Sequence, residues 1–258
     1  MPRRPKIAPN IERAELGELL RYLGLQRAAD SHQDLLAQAA KGNWSHKRLL
    51  EALAGQEASA KKERSVQARV ATAHFPVLKT IDSFDFAFPK AIPKEQVLGA
   101  FSLDFLERHE GFIFLGGPGT GKSHLATALG HAACMRGVRT LFTSAIDMVN
   151  DLQAALTASR LPKALQSYRQ PRLLIIDEVG YLPFDQKGSD LFFQVISARY
   201  ERGSTVLTTN QPFKNWGSVF SNNTVASAII DRLAHHNDLI PIEGDSYRVH
   251  HRKNRRKP

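Results

Sequence analysis

The stretch FLGGPGTGKSHLA (residues 114–126) decides how the rest of the chain is read. Its centre runs Gly116, Gly117, Pro118, Gly119, Thr120, Gly121, Lys122, Ser123, which satisfies G-x-x-x-x-G-K-[ST]. Glycines let the backbone curl until successive N–H groups point inward, with no Cβ to hold a phosphate oxygen away. A lysine at the end of such a loop reaches the β- and γ-phosphates, and the hydroxyl after it binds magnesium. The apolar run FIFL (112–115) precedes the loop and an amphipathic pattern follows it. A helix starting there directs its positive end at the anion. The loop therefore predicts a site for a nucleoside triphosphate with Mg2+.

Outward from the loop, short apolar runs alternate with helical patterns. The strands are FIFL, VRTLFTS (138–144), RLLIID (172–177), STVLTTN (204–210) and DLIPI (238–242), with helices expected near 122–136, 145–158, 162–170, 187–202 and 224–235. Continuous apolar strands separated by helices predict an α/β domain whose five-stranded parallel sheet is covered on both faces.

Two strand ends carry three polar residues that matter here. In LLIIDE, Asp177 closes an apolar strand where it can hold the magnesium shell, and Glu178 is the candidate base for the attacking water. Asn210 closes the next strand, placed to orient that water; an ordinary turn residue would also fit there. Glu beside Asp, with Asn at the following strand end, marks the P-loop branch that hydrolyses ATP to drive assemblies. Such a site needs an arginine to offset transition-state charge, often from a neighbouring subunit. Arg232 in AIIDRLAHH and Arg248 in GDSYR are the candidates, with Arg199 and Arg202 in reserve. A salt bridge to Asp231 or a solvated helix face is the plainer role for Arg232.

The 258 residues, 42% of them hydrophobic, are enough for one large domain and a small appendage. Cys134 stands alone, which excludes a disulfide framework or a cysteine-rich zinc site and fits a reducing compartment. No stretch approaches the roughly 20 apolar residues needed to cross a bilayer, so a cytoplasmic protein with no membrane partner is expected. The formal net charge of +10 points to a polyanion. RVHHRKNRRKP at 248–258 holds six Lys/Arg and no acid, either a solvated tail or a phosphate-neutralising one. The segment between the second and third strands contains two helical patterns where a parallel crossover needs one. The second carries Arg160, Lys163, Arg169 and Arg172 without an acid, a candidate DNA-binding face with Tyr168 packing beside it, or a solvated one.

The N-terminal part differs. Residues 1–10 are rich in Pro and Arg and are expected to be loose. Leu16, Leu19, Leu20 and Leu23 fall on one helical stripe; Leu35, Leu36 and Ala39, then Leu49, Leu50 and Leu53, repeat it. Gly42 and Gly55 read as breaks, and KKER (61–64) as the opening of a further polar helix to about Ala73. FPVLKTIDSFDFAFP (75–89) reads as an extended linker whose Phe84, Phe86 and Phe88 anchor on the next domain rather than on nucleotide. The expected divisions are a helical domain at 1–74, a linker at 75–110, the ATPase domain at 111–247 and a basic tail at 248–258.

GGPGTGKSHLA, LLIIDEVGYLPF, ARYERGSTVLTTNQPFKNWGSVF and AIIDRLAHH…GDSYR together resemble the IstB family of insertion-sequence transposition ATPases, AAA+ proteins similar to the DnaC helicase loaders. The resemblance covers roughly 75–250 densely and the helical unit more loosely. It implies an ATP-dependent homo-oligomer, ring or helical, that binds duplex DNA with little sequence preference, deforms it, and recruits and stimulates a transposase. It also implies Arg232 as arginine finger, Asn210 as first sensor, Arg248 as second sensor, and a pore-lining role for Lys163 and Arg169. The few residues after the last strand leave no room for a full helical lid, a departure from the general AAA+ pattern that loaders and transposition ATPases share. A replicative helicase loader, and a nucleotide-gated DNA-coating protein with slow hydrolysis, are the competing functions.

Overall fold

The computed structural model describes residues 14–254, with side chains to residue 250. The expectations for residues 1–10 and for the side chains of the basic tail beyond 250 lie outside them. By contact density the chain divides into two units, Met1–Gln67 and Ala68–Pro258, with the division inside a helix.

In the first unit, α1 spans Leu16–Tyr22, α2 Gln26–Lys41 and α3 His46–Thr72. Gly42 ends α2 as its spacing predicts, whereas Gly55 breaks nothing and KKER opens nothing, since both lie within the single 27-residue helix α3. A mid-helix glycine costs only about 1 kcal/mol, too little to interrupt a helix with good formers on either side. The core of this unit is small: Leu20, Ala28 and Ala29, with Leu25 and Leu53 packed against them. Leu16, Leu23, Leu36 and Leu50 of the predicted stripes are exposed. Nothing in the sequence of α2 caps its N-terminus, and Glu57 of α3 does so instead, its Oε2 accepting from the Ala28 amide at 3.0 Å. Arg64 donates to the same carboxylate at 2.7 Å.

The second unit is a three-layer α/β domain. After α4 (Lys94–Ala100) come β1 (Gly111–Gly116), α5 (Lys122–Met135), β2 (Thr140–Ser144), α6 (Ala145–Thr157), α7 (Leu161–Arg169), β3 (Leu173–Val179), α8 (Gln186–Arg199), β4 (Ser204–Thr209), α9 (Trp216–Val219), α10 (Asn223–His236), β5 (Asn237–Ile242) and α11 (Tyr247–Asn254). The five strands pair in parallel in the order β2-β3-β4-β1-β5. Their side chains alternate between two apolar layers. Phe112, Phe114, Leu173, Ile175 and Val206 meet α4, α5 and the linker residues Phe75, Phe84 and Phe86. Ile113, Leu174, Ile176 and Leu207 meet α6, α8 and α10 on the other face. The period of two along each strand thus fills both layers, which is why these strands read as unbroken apolar runs.

Arg199, a reserve candidate for catalysis, is a framework residue. It is 2% exposed and donates to the carbonyls of Tyr168, Pro171 and Ser204 at 2.9, 2.8 and 2.5 Å and to Thr205 Oγ1 at 3.1 Å. Burial pulls its pKa down to about 10, so it remains a cation at neutral pH. It ties the end of α7 and the entry to β3 to the first residues of β4. Where the basic tail is expected to begin, the described residues form α11 from Tyr247, and the start of this helix is bound to the glycine loop.

Candidate nucleotide site and its arginines

All five strands run the same way, so their C-terminal ends share one edge of the sheet. The glycine loop follows β1, Asp177 and Glu178 end β3, and Asn210 follows β4. Because β4 lies between β3 and β1, topology alone seats half-buried Asn210 between the acidic pair and the loop.

The loop is held open by glycines that nothing else could replace. Gly119 has φ +79° and a Cβ there would collide with Ser246; Gly121 has φ +99° and its Cβ would sit 2.5 Å from the Phe84 ring. Lys122 begins α5, and its ammonium donates to the Gly117 carbonyl at 2.7 Å. Burial lowers the Lys122 pKa; Asp177 opposes this, Arg248 adds to it, and Glu178 opposes it.

Ser123 Oγ donates to the carboxylate of buried Asp177 at 2.8 Å, joining the first turn of α5 to the end of β3. A third residue escaped the sequence reading. Thr208 Oγ1 donates to the same Asp177 oxygen and accepts the Glu178 amide at 2.9 Å. Its signal was a polar side chain buried in an apolar strand. The β3–β4 register shifts between Ile176 and Val179, and Glu178 takes a left-handed φ of +62°. Such a conformation is uncommon for a non-glycine residue and clusters at functional sites. It leaves Asp177 buried and Glu178 exposed, two neighbouring carboxylates in different environments. Hard oxygens from Ser123 and Asp177, an ammonium and a curled backbone are a fitting donor set for Mg2+ and a triphosphate.

The linker phenylalanines anchor as expected. Phe84 meets the His124 ring edge-on at 5.3 Å, and His124 Nε2 lies 3.0 Å from the Thr80 carbonyl and 3.2 Å from Ser83 Oγ. Phe88 packs edge-on to Tyr247 at 4.9 Å, while the Tyr247 amide donates to the Gly119 carbonyl at 3.0 Å. The start of α11 is therefore part of the loop's surroundings, and Arg248 is brought to the site.

Arg232 is placed elsewhere. It lies on α10, which runs directly into β5, and Asn237 at the start of β5 pairs with Gly111 at the start of β1. Arg232 is thus near the opposite edge of the sheet, a strand length of roughly 20 Å from its own glycine loop. Its guanidinium lies 4.7 Å above the Phe193 ring and donates to the Ala228 carbonyl at 3.1 Å, and no salt bridge to Asp231 forms among the described residues. On α7, Lys163 and Arg169 are exposed, and so are Arg160 and Arg172, though Arg172 pairs with Glu107 at 2.6 Å. Tyr168 does not join them. It is buried and donates to Asp151 at 3.0 Å, because Leu161, Ala164, Leu165 and Tyr168 form the inner stripe of the helix. No helix among the described residues is long and apolar enough to cross a membrane.

Solved structures with the same fold include the DnaC helicase loader (TM-score 0.55, 22% identity, 64% of this chain and 96% of that one). Another is AMPPCP-bound DnaA from Aquifex aeolicus (TM-score 0.57, 22% identity, 70% of this chain and 55% of that one). At this identity the likeness establishes the AAA+ fold. Sequence relatives are nearer. The ATP-binding protein of insertion sequence IS232 from Bacillus thuringiensis subsp. berliner is 40% identical over 230 residues, 89% of this chain and 92% of its own length. That of IS21 from Pseudomonas aeruginosa is 39% identical over 235 residues, 91% of this chain and 89% of its own. The family model described as IstB-like ATP binding protein matches residues 18–255. With its loop, acidic strand end and sheet order, the chain is an AAA+ ATPase and belongs to the IstB-like ATP-binding family.

Proposed function

We propose that this ATPase assembles as a homo-oligomer on duplex DNA and there recruits and stimulates the transposase of an insertion sequence. The observation that carries the oligomer is the position of Arg232. An arginine a strand length from its own glycine loop serves hydrolysis only at the loop of a neighbouring subunit.

In this reading the N–H groups of Gly116, Gly117, Gly119, Thr120 and Gly121 (Pro118 has none) and the Lys122 ammonium would hold the phosphates, and Ser123 and Asp177 would hold Mg2+, which when bound neutralises phosphate charge. Thr208 fixes the Asp177 carboxylate. Glu178 accepts a proton from the water that attacks the γ-phosphorus, Asn210 orients that water, and the bond to the ADP oxygen breaks. Arg232 of the next subunit and Arg248 of the same one offset the charge that develops. Lys163 and Arg169 on α7, with Arg160 just before it and the Glu107-paired Arg172 just after it, give this segment a basic face for phosphates, a sequence-independent contact. The insertion-sequence relatives support transposition over helicase loading, because the loader likeness extends to fold alone.

The test separates binding from turnover. Lys122→Ala is expected to abolish ATP binding. Glu178→Gln should bind ATP but hydrolyse it at least 100-fold more slowly, and should collect as an ATP-bound oligomer on DNA in sedimentation or electron microscopy. Wild-type turnover by Glu178→Gln removes the base assignment; a monomeric Glu178→Gln–ATP complex on DNA removes the assembly.

A further inference from the structure

The strand-start edge of the sheet holds a second cluster of chemistry. Here α8 ends in the turn Tyr200, Glu201, Arg202, Gly203, and α10 ends in His235 and His236 before passing directly into β5. Glu201 is turned by a left-handed φ of +57°. One ligand atom from each of Glu201, His235 and His236 lies within 4.8 Å of the others. We propose that these three residues form a binding site for a divalent ion of the zinc class, separate from the ATP site.

Four observations support it. The ligand set, two imidazoles and a carboxylate, is one that zinc uses with water in the fourth position. Tetrahedral zinc at about 2.0–2.1 Å from each ligand sets them roughly 3.3 Å apart; His236 Nε2 and Glu201 Oε1 are already 3.6 Å apart. His236 Nε2 is buried and has no hydrogen-bond partner among the described residues, a deficit that a ligand would relieve. The Tyr200 hydroxyl lies 2.7 Å from His235 Nδ1 and restrains that ring, as outer partners of metal-bound histidines do. His109, Arg232 and Asn237 line the same cleft as Glu201 and His236.

The location gives the site a consequence. Glu201 belongs to the end of α8 and the histidines to the end of α10, so a bound ion clips the two helix ends together. Arg232 lies one helical turn before His236 on α10, so the clip fixes the segment that carries it. The site itself depends on neither oligomer nor DNA and stands or falls apart from the proposed function.

The full chain, stripped with a chelator and kept in excess Mg2+ without nucleotide, is titrated with Zn2+ against a chromophoric competitor. One tight ion per chain is expected, raising the unfolding midpoint by about 5 °C at a hundredfold excess over Kd. His235→Ala with His236→Ala should remove that ion. Glu201→Gln, which preserves size, should weaken it at least tenfold, and Tyr200→Phe by about tenfold. His250→Ala with His251→Ala should leave it in place. Circular dichroism and ATP binding check that each variant is folded. Absence of a tight ion in the wild type overturns the proposal, as does undiminished binding by the His235→Ala/His236→Ala protein, or loss of the ion from the His250/His251 variant instead.

Discussion

The two units of the chain use apolar side chains differently. In the second, strand residues fill a layer on each face of the sheet, and Phe114, Ile175, Leu207 and Trp216 are wholly enclosed. In the first, the apolar cluster is Leu20 with two alanines, Leu35 and Ala39 are buried besides, and Leu16, Leu23, Leu36 and Leu50 face outward. A leucine fully buried contributes roughly 1.5–3 kcal/mol, so the second unit rests on its own interior and the first has little to rest on. Its small core is supplemented by one carboxylate, Glu57. The contrast puts the nucleotide loop and the acidic strand end in a unit whose geometry is fixed from within.

Four changes would break or sharpen that contrast. The largest effect is expected at Arg232. Arg232→Ala should bind ATP normally yet turn over about a thousandfold more slowly, and mixing it with Lys122→Ala should restore part of the activity, because one interface type then joins an intact loop to an intact arginine. Full activity of the single variant would return Arg232 to its packing on Phe193.

Next comes Arg199. Arg199→Met strands several buried carbonyls at once, and denaturant unfolding should show a loss of about 3–5 kcal/mol. The loss belongs to the second unit, so ATP binding should disappear at a lower denaturant concentration than in the wild type. A change below 1 kcal/mol would show that the carbonyls find other partners.

A smaller effect is expected on α7. Lys163→Glu with Arg169→Glu should weaken binding to every DNA sequence alike and reduce the slope of log affinity against log salt by about 2, with ATP binding unchanged. Unaltered affinity at matched salt would move the DNA face elsewhere.

The smallest is at Glu57, whose pKa is lowered chiefly by the Ala28 amide, against a desolvation penalty and with help from Arg64. A carboxyl more acidic when folded contributes stability above its unfolded value, and loses it as pH falls through the folded one. Glu57→Ala should cost about 1 kcal/mol at neutral pH, and the difference from wild type should vanish in acid. Equal loss at both ends of the pH range would mean that Glu57 acts by packing.

Much of the ATPase unit was legible because its signals are local. Strands buried on both faces must be apolar throughout, and a phosphate loop needs glycine, lysine and serine in consecutive positions, so FIFL, LLIID and GPGTGKS declare themselves without reference to anything distant. The helical unit was less legible. Its stripes predicted more burial than occurs, and Gly55 was read as a break, since amphipathic spacing and a lone glycine cannot reveal what packs against a helix.

By itself, then, the sequence determined the parallel sheet, the triphosphate loop and the acidic strand end, because each follows from side-chain chemistry within a few residues. Tertiary structure alone decided the rest. Glu57 caps a helix 29 residues away, and Thr208 reaches Asp177 from a neighbouring strand. Arg199 is enclosed among carbonyls of the α7–β3 connection and Ser204, while Arg232 stands at the edge of the sheet away from its own loop. These assignments depend on strand order and on which carbonyls or carboxylates lack partners in space, and a buried polar group is satisfied by whatever the fold brings near.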